Sequence, residues 1–102
     1  MRTIKTVSGH TYEIRFCGVL QLYVTKALYI EFIGETLVDM VNSFANPDDN
    51  SVIYSYVDGE PHKTFIGFTN LTEAGLTNGN AYIRLETPAA EEEPINMEEI
   101  QG

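Results

Sequence analysis

Alternation of apolar and polar residues predicts the strands in the first third of this chain. Within residues 11–17 every second side chain is apolar, a period of two that is typical of a strand with one face toward water. Turn chemistry at residues 8–9 joins this strand to one over residues 3–7, which predicts an N-terminal hairpin. Residues 19–24 are predicted as a short irregular or edge strand. Residues 27–33 alternate again and predict a further strand.

After residue 34 the period changes to that of a helix. Apolar residues recur at i, i+3, i+4 and i+7, which places them on one helical face: Leu37, Met40, Val41 and Phe44. Thr36 is the predicted N-cap. Residues 46–47, Asn-Pro, end the helix because the residue before a proline avoids the α region. The pattern predicts one short helix.

Two strong turn signals organise the second half of the chain. Asp58-Gly59 lies between predicted strands over residues 51–57 and 63–68, and Asn78-Gly79 precedes the last strand. Both dipeptides favour tight hairpin turns, since Asp, Asn and Gly tolerate positive φ. Residues 70–75 are predicted as a loop or a single helical turn.

With a last strand over residues 81–85, these elements predict a mainly β (α+β) fold. We expect a small bent antiparallel sheet or a partly open β-barrel of about six strands, with the one short helix covering an open end. The length suits a single domain over residues 1–87. Residues 88–102 hold five acids, two prolines and no base. We expect this tail to be disordered when free, because it cannot bury enough surface to offset its ordering entropy.

The tail also has an alternative interpretation. Its apolar residues beyond alanine are Ile95, Met97 and Ile100. These three side chains would allow it to dock as a short linear motif, whereas a solvated spacer is the more common role of an acidic tail.

Charge is distributed unevenly along the chain. Residues 1–30 carry four bases and one acid, whereas residues 31–102 carry fourteen acids and two bases, and the net charge is −9. Residues 31–60 hold seven acids and no base. Such a field attracts basic protein surfaces and disfavours direct binding of nucleic acid, which needs clustered Lys and Arg. We therefore expect a partner with a basic surface.

Cysteine content and hydropathy indicate the compartment. The single cysteine, Cys17, excludes an intramolecular disulfide and favours a reducing environment. No segment approaches the roughly 20 apolar residues of a bilayer span, and the start of the chain lacks the apolar region of a secretory signal. We expect no membrane association, and we expect the cytoplasm of a host cell or, for a structural component, the virion.

The residues that could support catalysis or metal binding are few. Cys17 with His10 or His62 could supply a nucleophile and a base, but Cys17 ends a predicted strand and is more typical of a packing residue. Asp48-Asp49-Asn50 lacks the spacing of a calcium loop, and two distant histidines with one cysteine give no zinc pattern. We expect no enzyme, no cofactor and no metal.

The candidate partner-binding residues form an acidic set and an aromatic pair. On a compact domain the carboxylates of the third strand, the helix and the following turn could form one acidic ridge: Glu31, Glu35, Asp39, Asp48 and Asp49. Tyr54 and Tyr56 would add rigid contact area if their rings face outward. The ridge is equally typical of an ordinary solvated face, and a tyrosine stripe is more often core.

Three segments resemble small proteins of bacteriophages and prophages from Gram-positive gut bacteria. They are residues 6–18, residues 44–47 with the strand that follows, and residues 66–71. The resemblance spans residues 1–85 and implies phage origin. It implies a small acidic inhibitor of a host defence nuclease, similar to anti-CRISPR proteins, that occupies a basic nucleic-acid-binding surface. The alternative it implies is a tail- or baseplate-associated virion component that self-assembles as a homo-oligomer. No site residues carry over from either group.

Overall fold

The computed structural model describes residues 1–88. Seven strands form one antiparallel sheet in the order β5-β4-β1-β2-β3-β7-β6. The elements are β1 (Arg2–Lys5), β2 (Thr11–Gln21), β3 (Lys26–Phe32), α1 (Leu37–Phe44), β4 (Val52–Val57), β5 (Glu60–Ile66), β6 (Asn70–Thr77) and β7 (Asn80–Glu86). The prediction of a mainly β fold with one short helix is confirmed. The predicted disorder of the tail concerns residues that lie, apart from Pro88, outside this range.

Both predicted tight turns are formed. Asp58 and Gly59 have φ values of 51° and 83°, and Asn78 and Gly79 have φ values of 51° and 81°. Positive φ at both central residues is the type I′ geometry, whose twist matches that of the flanking strands. The two turns therefore link β4 to β5 and β6 to β7 directly.

Two β-bulges account for the strands that the alternation did not predict correctly. In β2 the register shifts between Ile14 and Phe16, so the strand continues to Gln21 instead of giving way to a separate strand over residues 19–24. In β6 the register shifts between Leu71 and Glu73. The prediction of a loop or helical turn over residues 70–75 is wrong, because the bulge changes the spacing of inward-facing side chains from two to three.

The sheet curls, because its two edge strands are consecutive in the chain. Only residues 67–69 join the end of β5 to the start of β6, a link that spans at most about 14 Å. The two edges therefore approach each other at this corner without pairing. Phe68, within the link, is buried and meets the ring of Phe65 edge-on at 6.2 Å.

Helix α1 packs on the inner face of the curled sheet, beside β6 and β7. Its buried residues, Met40 and Phe44, join the core. The Phe44 ring lies 5.5 Å from those of Tyr12 and Phe32. At the other end of the helix Thr36 Oγ1 accepts a hydrogen bond from the Asp39 backbone N–H at 3.2 Å, the predicted N-cap. The cap and the aromatic cluster fix the helix at both ends.

The end of α1 is held by a buried amide. Asn50 is fully buried, and its Nδ2 donates to the Phe44 carbonyl oxygen at 2.6 Å. This bond satisfies one of the carbonyls that a helix leaves unpaired at its C-terminus. It also ties the turn after the helix to the core.

No helix within residues 1–88 has the length and apolar character needed to cross a membrane.

Candidate functional site

Four of the five predicted carboxylates surround α1. Asp39 lies in the first helical turn, and Asp48 and Asp49 lie in the turn that follows the helix. Asn42 continues the helical face that begins at Asp39, at i+3, and Asn46 follows the end of the helix. An open depression of about 450 Å³ then joins this helical face to Asp48 and Asp49. With Glu35, just before the N-cap, these carboxylates form what we call the α1 acidic surface: Glu35, Asp39, Asp48 and Asp49.

Asp49 anchors this surface to the β1–β2 turn. Its Oδ1 accepts a hydrogen bond from the Ser8 backbone N–H at 2.8 Å, and its carbonyl oxygen accepts one from Val7 N–H at 3.3 Å. Partial desolvation raises the pKa of Asp49, but the hydrogen bonds from Ser8 and Thr6 and the nearby His10 outweigh it. The net pKa lies below the ordinary value of 3.8. Asp49 is therefore charged over the physiological pH range.

Glu31 does not belong to this surface. It points to the outer face of the sheet, whereas its neighbour Phe32 points to α1 and the core. Its carboxylate lies 3.2 Å from Arg15 Nε and accepts a hydrogen bond from Asn80 Nδ2 at 3.0 Å. The structure therefore does not bring the five predicted carboxylates onto one ridge, because strand alternation turns Glu31 to the opposite face.

Tyr54 and Tyr56 lie on the outer face of β4. Tyr54 is 40% exposed and Tyr56 is half-buried. Their cross-strand partners in β1 are Lys5 and Thr3. Two strands, β1 and β2, separate this pair from Glu31 in β3. The tyrosines are therefore surface residues, but they do not adjoin the α1 acidic surface or Glu31.

The structure shows an aromatic groove that the sequence did not indicate. Phe16, Tyr29 and Tyr82 line an open depression of about 390 Å³ on the outer face, together with Glu31 and Glu73. These residues come from four neighbouring strands, and the bulges in β2 and β6 bring them to one face. The missing signal is the one-residue register shift at each bulge, which local alternation cannot reveal.

Polar contacts fix the side chains of this groove. Tyr82 Oη donates to Glu73 at 2.5 Å, and this hydrogen bond raises the pKa of Tyr82. Arg84 donates to Glu86 at 2.7–2.8 Å and to Tyr29 Oη at 3.1 Å. The guanidinium carbon of Arg84 also lies 5.7 Å from the centre of the Tyr29 ring. Each carboxylate here is paired with an arginine, Glu31 with Arg15 and Glu73 and Glu86 with Arg84, so the groove supplies aromatic surface with a net charge of only −1.

A notch opens where β1 begins and β2 continues past it. Cys17 and His62 both line this cavity of about 260 Å³, together with Arg2 and Lys63. Burial raises the pKa of Cys17 to about 11, although the positive charges of Arg2 and Lys63 lower it. The thiol is therefore protonated at neutral pH, and a protonated thiol is a poor nucleophile. This pair does not supply an activated nucleophile.

The described residues contain no group of three or more His, Cys, Asp or Glu side chains that could hold a metal ion. Comparisons of the chain with protein-family models, with curated proteins and with solved structures give no match. The functional argument therefore depends on the surfaces themselves. Two of them combine exposure with a distinctive chemistry, the α1 acidic surface and the free edge of β2.

The free edge of β2 is the side of Phe16–Gln21 that faces away from β3. Pairing with β1 stops at Ile14, opposite Arg2, because β1 begins there. Next to Arg2, the Met1 carbonyl oxygen accepts a hydrogen bond from Asp58 N–H at 2.7 Å, on the β4 side of β1. Within residues 1–88 no strand pairs with this side of Phe16–Gln21. Exposed apolar side chains accompany the edge and the adjoining turn: Phe16, Val19, Leu20, Tyr23 and Val24.

Proposed function

We propose that this protein acts by binding, without catalysis, and that the α1 acidic surface contacts a basic surface of a partner protein. The partner class that suits it is a host defence nuclease whose nucleic-acid-binding groove is lined by Lys and Arg. The protein would occupy that groove and inhibit the nuclease, in the manner of an anti-CRISPR protein.

The observation that carries this proposal is the set of carboxylates left without a cation around α1. Elsewhere in residues 1–88, Glu31 pairs with Arg15, Glu73 and Glu86 share Arg84, and Asp58 pairs with the N-terminal amine. Glu13 and Glu60 form no ion pair in this range, but each is the one carboxylate of its strand. Glu35, Asp39, Asp48 and Asp49 also form no ion pair in this range, and they are grouped around one helix. A group of unpaired carboxylates around one helix supplies negative charge that a basic groove would attract.

The test is the association rate with a purified RNA-guided nuclease of the Cas9 type, free of guide RNA, whose heteroduplex channel is positively charged. The variant D39K/D48K reverses two charges of the α1 acidic surface. We expect its association rate at low salt to fall by roughly tenfold or more, because steering depends on charge complementarity.

The matched control is E13K/E60K, which makes the same change in net charge outside the α1 acidic surface. Its association rate should stay close to that of the unmodified protein. Equal losses of association rate in both variants would mean that net charge, and not the position of the charges, determines the rate. An unmodified protein that does not bind the nuclease at all would contradict the proposed partner class.

A second candidate function is favoured by the free edge of β2. An unpaired strand edge flanked by exposed apolar side chains can pair with another copy of the chain. A virion component that self-assembles as a homo-oligomer would use such an edge. Sedimentation velocity at two protein concentrations and two ionic strengths separates the candidates, since self-assembly through apolar strands grows with concentration and survives high salt.

A further inference from the structure

The free edge of β2 lacks the protection that the other two edges of the sheet carry. The β5 edge contains Glu60, Pro61 and Lys63, and the β6 edge contains a bulge and Glu73. Charges, prolines and bulges are the usual means of preventing an edge from pairing. Residues 16–21, Phe-Cys-Gly-Val-Leu-Gln, contain no charge and no proline. Such an edge is suited to receive a further strand.

Cations without a partner lie at both ends of this edge. Arg2 and Lys63 line the notch beside Cys17, and Lys26 stands opposite Gln21 in the β2–β3 pair. These three side chains form no ion pair within residues 1–88. They are three of the six bases in a chain with net charge −9. An occupant that is both acidic and apolar would complement this edge.

Residues 89–102 have this composition. They contain five glutamates and no base, and Ile95 and Met97 are spaced by two, as on one side of a strand. Their starting point is also close. Thr87 N–H donates to the Lys26 carbonyl oxygen at 3.0 Å, and Lys26 N–H donates to Thr87 Oγ1 at 3.0 Å. The chain therefore leaves the described region beside the end of β3 that adjoins Gln21.

The distance can be bridged. The distance from β7 to a strand added beside β2 is three strand spacings, across β3 and β2, or roughly 14 Å. Residues 88–94 reach roughly 23 Å when extended. The following residues would then start beside Gln21 and run toward Phe16, which is antiparallel to β2.

We propose that residues 95–100 add to the free edge of β2 as an eighth, antiparallel strand of the same chain. Backbone hydrogen bonds would hold the strand, as in other cases of strand addition. The tail glutamates would face Arg2, Lys26 and Lys63, and Ile95 and Met97 would cover exposed apolar surface of β2. The tail would thereby block pairing with a second copy. This inference is independent of the α1 acidic surface, and neither result decides the other.

The test is amide hydrogen exchange of residues 16–21 in the full-length chain. The variant I95D/M97D removes the apolar contacts, and A89D/A90D adds the same two charges outside the proposed strand. We expect the exchange of the edge-facing amides to be roughly tenfold or more faster in I95D/M97D than in the unmodified chain. The A89D/A90D chain should exchange like the unmodified one.

Three outcomes would overturn the proposal. Equal exchange in I95D/M97D and the unmodified chain would mean that the tail does not cover the edge. Fast exchange of these amides in the unmodified chain would mean that nothing covers it. Protection that grows with protein concentration would assign the edge to a second copy.

A cysteine scan gives a second, structural readout. Single cysteines at residues 97, 98, 99 and 100 of the full-length chain lie around the position opposite the native Cys17 in this antiparallel register, and each is tested for a disulfide with Cys17 under mild oxidation. An added strand turns alternate residues to opposite faces, so we expect intramolecular disulfide yields that alternate along the four positions. A smooth dependence on position, or disulfides mainly between chains, would contradict the proposed strand.

Discussion

The region covered by α1 and the β2–β3 turn region use aromatic side chains in opposite ways. Under α1, Phe44 is fully buried and packs against Tyr12 and Phe32. At the β2–β3 turn, Tyr23 is 98% exposed. Burial under the helix drives folding, whereas the exposed turn and the free edge of β2 contribute apolar area that the fold does not use. The comparison distinguishes core residues, which stabilise the fold, from exposed apolar residues, which can bind a further segment or a partner.

The largest expected effect is on the free energy of unfolding, and it appears when Phe44 and Tyr23 are each replaced by alanine. Phe44→Ala should lower the free energy of unfolding by about 3–5 kcal/mol, because it leaves a cavity between α1 and the sheet. Tyr23→Ala should change it by less than about 0.5 kcal/mol. Urea denaturation followed by circular dichroism measures both. A large loss for Tyr23→Ala would show that the turn packs on part of the molecule.

A smaller effect is expected at the amide that holds the end of α1. Asn50→Ala removes the buried hydrogen bond to the Phe44 carbonyl and should cost about 1–3 kcal/mol in unfolding free energy. Asn42→Ala, on the exposed side of the helix, is the matched control and should be close to neutral. The same denaturation experiment compares them, and similar losses would contradict the role assigned to Asn50.

The smallest effect concerns the pH dependence of the acidic surface. Because the pKa of Asp49 is lowered in the folded state, its charged form stabilises the fold above the ordinary value of 3.8, and this contribution is lost as pH falls through the folded pKa. Asp49→Asn should therefore be destabilising by less than about 1 kcal/mol at pH 7. The difference should vanish in acid. Thermal melts from pH 7 to pH 2 test this, and a constant difference would exclude the titration of Asp49 as its cause.

Local sequence signals were sufficient for the turns and the helix. The dipeptides Asp58-Gly59 and Asn78-Gly79 determine their turns through positive φ, and Thr36 caps α1 as its position before the apolar period indicates. The strand β6 was missed because its bulge breaks the alternation at Leu71 and Glu73. Periodicity describes a single strand, whereas a bulge is a property of two paired strands.

The candidate surfaces were predictable only in part. The carboxylates around α1 follow from their closeness in sequence to the helix. The prediction places Glu31 on the same ridge, whereas a residue beside the buried Phe32 in a strand faces away from the core. The aromatic groove and the free edge of β2 depend on strand order and on where β1 begins. Both are long-range properties that local composition does not carry.

The close approach of Tyr82 to Gly75 constrains how the sequence of this protein can evolve. A Cβ atom at residue 75 would lie 2.9 Å from the Tyr82 ring, which Glu73 holds by a hydrogen bond. A larger residue at position 75 requires this ring to shift, which would disturb its hydrogen bond to Glu73. We therefore expect related sequences to keep both residues or to change them together. Positions 75 and 82 would then covary because they are in contact across two strands.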